Sequence, residues 1–402
     1  MKKKIIVVII LFLFQSIIAN LGHPVTPAFV RALGLKDYMF GIFYTLMSLG
    51  LMIGSPIWGM LGDKFPKRPL IVGGLLLYSC GQWLFGYSGD VVWMGIARFL
   101  SGLGASSVMT LFTSYLVAHS DPEKRSKNLG YMGAAVTLGA SIGYYLGGFI
   151  STNPWVTSVL NIHDYRQIFL VQTIVNTIFA LAVVCFFRDN VSKKNHEPAI
   201  VGALAAHSHQ PLSLILFLLS LTFFTIGATN ISKFLDVYFN DLGYSPEALG
   251  TFVFFTGITS IVTSVAIVPL LARIRRQILL MMAVQILGAL IIFIVFRLNH
   301  FIFVIYSVFM IYIALKAIYQ PLEQSYISRH VRSGKYATLL GWRQAFVSIG
   351  MVLGPLGGGF LYEKSPLILF DSSGLFFLIG ALMLAGVYIL KRTKNRHIGR
   401  LE

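Results

Sequence analysis

Apolar runs of about 20 residues recur from one end of the chain to the other, and each is long enough to cross a bilayer as a helix. Short polar stretches rich in Lys, Arg, Gly and Pro separate them. The runs lack the strict polar–apolar alternation of barrel strands. Helices are the expected element, because a backbone in lipid must bond within its own segment. The pattern predicts twelve spans, at about 5–30, 38–61, 69–88, 91–118, 128–150, 167–187, 211–235, 247–271, 278–296, 301–327, 338–362 and 367–390. The longest polar connection, 188–210, contains RDNVSKKNHEP and reads as a cytoplasmic linker between six spans and six. The expected organisation is an N-terminal six-helix bundle (1–187), that linker, a C-terminal six-helix bundle (211–390) and a basic tail (391–402).

Composition agrees with an all-α membrane protein. Of 402 residues, 56% are hydrophobic and 12% charged, against roughly 25% charged in a soluble domain. The opening MKKK followed by IIVVIILFLF imitates a secretory signal. Since many more spans follow, it reads as an uncleaved first helix. Cys80 and Cys185 both lie in apolar runs and suggest neither a disulfide framework nor a zinc site. No cofactor or metal is expected.

The net charge of +17 is distributed in a telling way. Of the 32 Lys and Arg, 23 fall at the N-terminus, in alternate connections and in the tail; six fall on the opposite side and three inside spans. That bias predicts a multi-pass protein with both termini in the cytoplasm, in what is expected to be a bacterial plasma membrane. The positive charge is therefore a topology signal that also attracts anionic lipid headgroups. It does not imply a nucleic-acid partner.

One apolar part of the chain poses a problem. GYMGAAVTLGASIGYYLGG, 130–148, carries six glycines in nineteen residues, and each costs a helix about 1 kcal/mol relative to Ala. Sliding the sequence by 211 residues places Gly130, Gly139, Gly143, Gly147 and Gly148 on Gly341, Gly350, Gly354, Gly358 and Gly359. Leu111, Ser114, Tyr115, His119, Lys124, Leu129 and Val136 also meet identical residues without a gap. The chain is a duplication of a six-helix unit, an architecture of secondary transporters that places the substrate between the halves near the midplane. Gly139, Gly143 and Gly147 form one helical stripe, and Gly350, Gly354 and Gly358 repeat it beside Pro355. Small residues let membrane helices approach closely. The stripes are expected at the interface between the halves, either as rocking surfaces or as static helix contacts.

Three motifs resemble the major facilitator superfamily. GMLGDKFPKR, 59–68, is similar to that family's G-x-x-x-D-R-x-G-R-R loop, with Lys64 and Lys67 for arginines and Pro66 for a glycine. Gly59, Asp63, Lys64, Lys67 and Arg68 form the matched loop. The resemblance implies a charge-relay latch formed by Asp63 in an outward-facing state. RFLSGLGAS, 98–106, resembles the R-x-x-x-G-x-G element of the fourth helix. The third is the antiporter branch's G-x8-G-x3-G-P-x2-G-G signature, which runs from Gly130 to Gly148 with Tyr144 in place of proline. The resemblance covers nearly the whole chain and is nearest to bacterial drug:proton antiporters of the quinolone-efflux type. It implies two pseudo-symmetric six-helix bundles, alternating access and a chain acting as a monomer.

Proton coupling needs a group that titrates where solvation changes. Glu323 is the clearest acid inside a span; Lys316 and Gln320 share its helix face. Arg343 or Arg98 is available to neutralise it. His23, near Pro24 and Pro27, titrates near neutral pH when unperturbed, and also suits a hydrogen-bonded helix end. Lys233 and Asp236 are close enough on one helix to pair; Asn230 stands where related pumps have an acid. Gln15, Asn20, Asn230 and Gln320 are candidates for the cavity wall.

These features predict a secondary transporter and not an enzyme. The sequence lacks HExxH, a GxxxxGK phosphate loop and any large soluble domain. Proton-coupled export of small amphipathic compounds is the leading expectation. Uptake or exchange of a polar metabolite such as a sugar or organic acid is the alternative, favoured if Gln15, Asn20, Gln172, Asn176, Lys316, Gln320 and Gln324 share one lumen. A lipid flippase is a third.

Overall fold

The computed structural model describes residues 3–121, 124–189, 211–271, 274, 276–330 and 336–398. Most of the linker, like Gln324's side chain, lies outside the described residues. The helices are α1 Lys3–Asn20, α2 Thr26–Ala32, α3 Tyr38–Lys64, α4 Lys67–Tyr87, α5 Val91–His119, α6 Arg125–Thr152, α7 Pro154–Val159, α8 Arg166–Phe186, α9 Pro211–Asp241, α10 Pro246–Ala266, α11 Val268–Leu271, α12 Gln277–Val295, α13 Phe301–Tyr306, α14 Val308–His330, α15 Tyr336–Lys364 and α16 Pro366–Ile398. Among the described residues, eleven helical segments are long and apolar enough to span a membrane. They match the second to twelfth predicted spans.

The first predicted span is divided. α1 stops at Asn20, a turn holds 21–25, and α2 begins at Thr26. Pro24 cannot donate to a helix, while Pro27 sits in the first turn of α2, where no N–H donor is required. The turn also brings Gly22 against α8: a Cβ there would lie 2.7 Å from Gln172 Oε1. At the other end of the chain, α16 extends the last span through the first basic residues of the tail.

The helices form two compact units. One comprises 1–196 with 235–258, the other 197–234 with 259–402. The first therefore takes in the last turns of α9 and the first half of α10 as well as the N-terminal spans. Tyr144, Arg31 and Thr152 hold this added segment through Asp236, Asp241 and Glu247.

In the first unit α5 lies between α3 and α4, and glycine sets both spacings. Gly102 packs on the Met47 carbonyl of α3. An added Cβ at Gly104 would lie 2.5 Å from the Tyr78 amide of α4. Buried polar groups satisfy backbone carbonyls between helices. Gln172 Nε2 donates to Ile18 O (2.7 Å) and to the Tyr78 hydroxyl (2.9 Å). Asn176 Nδ2 donates to Leu75 O and Ser79 Oγ. In the second unit, Gln285 Nε2 ties α12 to the Tyr319 hydroxyl (2.6 Å) and Ser220 Oγ (3.1 Å).

The glycine stripes face partners other than those expected. Gly139, Gly143 and Gly147 of α6 press on the backbone of α1 at Leu13 and Ile17 and of the following turn at Leu21. Gly350, Gly354 and Gly358 of α15 press on α9 at Thr222, Ile226 and Asn230. Each stripe thus joins the first and fifth spans of one sequence repeat, where close approach of two backbones requires a missing Cβ. Of the described α6 glycines, Gly148 reaches the other half of the sequence: its Cβ would lie 2.8 Å from Glu247 Cα. Pro355 lies inside α15 beside its stripe.

Replacing Gly143 with Leu is expected to lower stability by about 1–3 kcal/mol through overpacking against α1. Gly133→Leu should leave thermal unfolding in detergent unchanged, because an added Cβ at Gly133 meets nothing within 4 Å. Equal melting of the two variants would refute the assigned contact.

Candidate functional site

α14 brings Lys316, Gln320 and Glu323 to one face at helical spacing. Glu323 is only 3% exposed. Its carboxylate is taken by Arg343 of α15 in a fork: Nε donates to Oε1, and Nη2 donates to Oε2 at 3.2 Å. The bidentate geometry is that of a strong charge-assisted pair. Taking either partner away from such a pair strands a charge in low dielectric at a cost of about 3–5 kcal/mol. Glu323 therefore has two affordable states: paired with a cation, or protonated.

Arg98 does a different job. It is buried on α5, with its guanidinium carbon 3.5 Å from the centroid of the Phe85 ring and 5.7 Å from that of Phe169. Its Nη2 donates to Thr26 Oγ1 at 3.3 Å. Among the described residues no carboxylate pairs with it. Cation–π contact and the hydroxyl replace a counter-ion, so Arg98 ties α2, α4, α5 and α8 together.

The position where the antiporter signature has proline is a polar junction. The Tyr144 hydroxyl donates to Asp236 Oδ2 at 2.9 Å, and both residues are buried. His23, in the turn after α1, stacks on the Tyr144 ring at 5.5 Å with planes 6° apart. The break between α1 and α2 places His23 there, and the last turns of α9 supply Asp236. Nearby, Arg31 of α2 engages Asp37 through Nε (2.9 Å) and Nη2 (3.0 Å), donates to Asn240 Oδ1 (3.1 Å) and pairs with Asp241. Thr152 Oγ1 donates to Glu247 Oε2 at 2.9 Å. These side chains draw α2, α6, α9 and α10 together within the first unit.

The basic loop 59–68 ends α3 and starts α4. Asp63 is exposed on the last turn of α3, as is Lys64. The carboxylate at the first turn of α4 belongs instead to Asp189, just beyond α8: its Oδ2 accepts from the Lys67 backbone N–H at 2.5 Å. A carboxylate is favourable there because helix N-termini carry unsatisfied donors and a positive dipole end. Lys67 Nζ donates to Gly62 O at 2.9 Å. Arg68 is partly exposed, and an added Cβ at Gly59 would only brush Thr110 at 3.8 Å.

The expected wall residues are placed as follows within their own units. Gln15 is buried. Asn20 Nδ2 donates back to Ser16 O at 2.7 Å. Asn230 is buried, with Oδ1 in the groove left by Gly354 and Gly358. Gln320 is exposed. Among the described residues, no group of three or more His, Cys, Asp or Glu is arranged to hold a metal ion.

Sequence reasoning placed Asp236 near Lys233 but missed Tyr144 as its hydroxyl partner. The signal was present as an aromatic phenol in a motif position that otherwise takes proline. Asp189 gave no signal, since it lies 122 residues from the backbone it caps.

Tyr144→Phe is expected to destabilise the protein by about 1–3 kcal/mol, since it removes a donor from a buried carboxylate. Asp236→Asn and the double variant complete a mutant cycle read by thermal unfolding. A coupling energy of about 0.5 kcal/mol or more is expected; strict additivity would show that the hydrogen bond contributes nothing.

Relatives and solved structures share this architecture. The chain is 23% identical to multidrug resistance protein 2 of Bacillus subtilis (strain 168), over 96% of each chain. It is 26% identical to multidrug resistance protein 1 of the same organism, over 90% of this chain and 91% of that one. The crystal structure of a bacterial homologue of the human lysosomal transporter Spinster, inward-facing and occupied, superposes with a TM-score of 0.71 at 14% identity, covering 97% of this chain and 96% of that one. The family pattern described as the Major Facilitator Superfamily matches residues 6–338, well over half of the sequence, and the chain belongs to that superfamily of membrane transporters.

Proposed function

We propose that this transporter exports small amphipathic compounds in exchange for protons by alternating access. On this reading it works as a monomer in a bacterial plasma membrane, with both termini on the cytoplasmic side. The names of the two Bacillus relatives support the export of drug-like compounds.

The observation that carries proton coupling is the Glu323–Arg343 fork. Its two members sit on different helices, α14 and α15. A shift of one helix along the other separates them. The stranded charge is then neutralised by a proton, which is given up when the fork re-forms. One acid thereby alternates between a cation and a proton as access changes. His23 and Arg98 are less suited to that role, because His23 stacks on Tyr144 and Arg98 is enclosed by aromatic rings. Loop 59–68 retains its proposed role as a latch, with Asp63 exposed at its head.

Uptake of a polar metabolite is less well supported. Asn20, Gln172 and Asn176 spend their amide donors on neighbouring carbonyls and hydroxyls inside the first unit.

The test is Glu323→Gln in proteoliposomes, comparing flux driven by an imposed pH gradient with counterflow at equal pH. Gradient-driven flux should fall to background and lose its pH dependence, while counterflow persists. Undiminished proton-driven flux in the variant would remove Glu323 from the coupling mechanism.

A further inference from the structure

Among the described residues, Lys316 stands apart from the ion pairs of the second unit. Glu323 and Arg343 neutralise each other. Lys316 precedes Glu323 by seven residues, about 10 Å along the helix axis, within the apolar span Phe301–Glu323. Both oxygens of Glu323 are already engaged by Arg343. Among the described residues, no carboxylate forms an ion pair with Lys316. The charge that reaches it from another helix is a like one, Lys233 of α9.

The position of Lys316 on α14 shows what its ammonium meets. Tyr312, one turn before, and Tyr319, nearly one turn after, are both buried, the latter bonded to Gln285 of α12. Gln320, on the same face one turn further on, is exposed, and Lys316 itself is partly so. Lys316 thus stands between a packed wall and an open surface. An ammonium facing hydrocarbon at that depth is strongly disfavoured, so the open surface must be wet. A wet, positively charged face inside a membrane span attracts anions and repels cations.

We infer that this face of α14 recognises the negative group of the cargo, with the Lys316 ammonium pairing to a carboxylate or sulfonate and the Gln320 amide beside it as a second donor. The cargo class is then amphipathic organic anions. The inference rests on the transport reading above but not on its proton coupling. It supplies a counter-charge for Lys316: the cargo neutralises the ammonium on binding and exposes it again on leaving.

Two xanthene dyes of opposite charge separate the possibilities: carboxyfluorescein, an anion, and rhodamine 123, a cation. Binding is measured by fluorescence polarisation on the full chain in phosphatidylcholine vesicles, which present no net-anionic lipid. The wild type should bind carboxyfluorescein at least about tenfold more tightly than rhodamine 123, the scale of one partly buried ion pair. Lys316→Gln should lose that preference, and Lys316→Arg should keep it. A wild type that prefers rhodamine 123, binds both dyes equally or binds neither overturns the inference, as does a Lys316→Gln protein that keeps the anion preference. If Lys316→Gln fails to fold, the wild-type comparison and Lys316→Arg still decide. The proton-coupling reading fails separately: carboxyfluorescein would then bind in a Lys316-dependent way, yet its flux would ignore an imposed pH gradient. Adding phosphatidylglycerol identifies a lipid headgroup as occupant if it weakens carboxyfluorescein binding in the wild type but not in Lys316→Gln.

Discussion

Hydrocarbon offers no hydrogen bonds, and that constraint governs this molecule. Every backbone group in a span must be satisfied within its own helix, and helices then gain little from hydrophobicity in finding one another. What remains is close contact and buried polar bonding. The glycine stripes of α6 and α15 supply the first, letting the backbones of α1 and α9 approach to distances that no side chain would permit. Gln172, Asn176 and Gln285 supply the second by tying neighbouring helices through amide donors. The helix-weakening cost of so many glycines is offset where two backbones meet.

The same constraint makes each charge in a span informative. Four solutions coexist. Glu323 and Arg343 cancel each other in a fork. Arg98 replaces a counter-ion with two aromatic rings and a hydroxyl. Asp236 accepts the Tyr144 hydroxyl. Lys316 is partly exposed on α14 and has a like-charged neighbour on α9. The partners of the first ride on separate helices. The second is braced from several sides and suits a fixed joint.

The spans were legible because a membrane helix is written as an uninterrupted apolar run, and eleven of the twelve appear where hydropathy puts them. The break of the first span could be sensed from Pro24 and Pro27 but not located, since a proline in a first helical turn leaves the helix intact. The duplication disclosed the two glycine stripes. Sequence spacing does not name the facing helix, and the stripes were assigned to the wrong partners. Glu323 and Arg343 were identifiable as charges in apolar surroundings, and their pairing follows from having few alternatives. The Tyr144–Asp236 bond and the Asp189 contact join positions far apart in the chain, and neither residue type announces such a partner.

The Asp189 contact has a mechanical implication. Asp189 is the second residue of the long polar connection, and its carboxylate holds the first turn of α4 beside the basic loop 59–68. Because Asp189 lies three residues beyond α8, this one bond ties the end of α8 to the start of α4, and neither can shift without releasing the other.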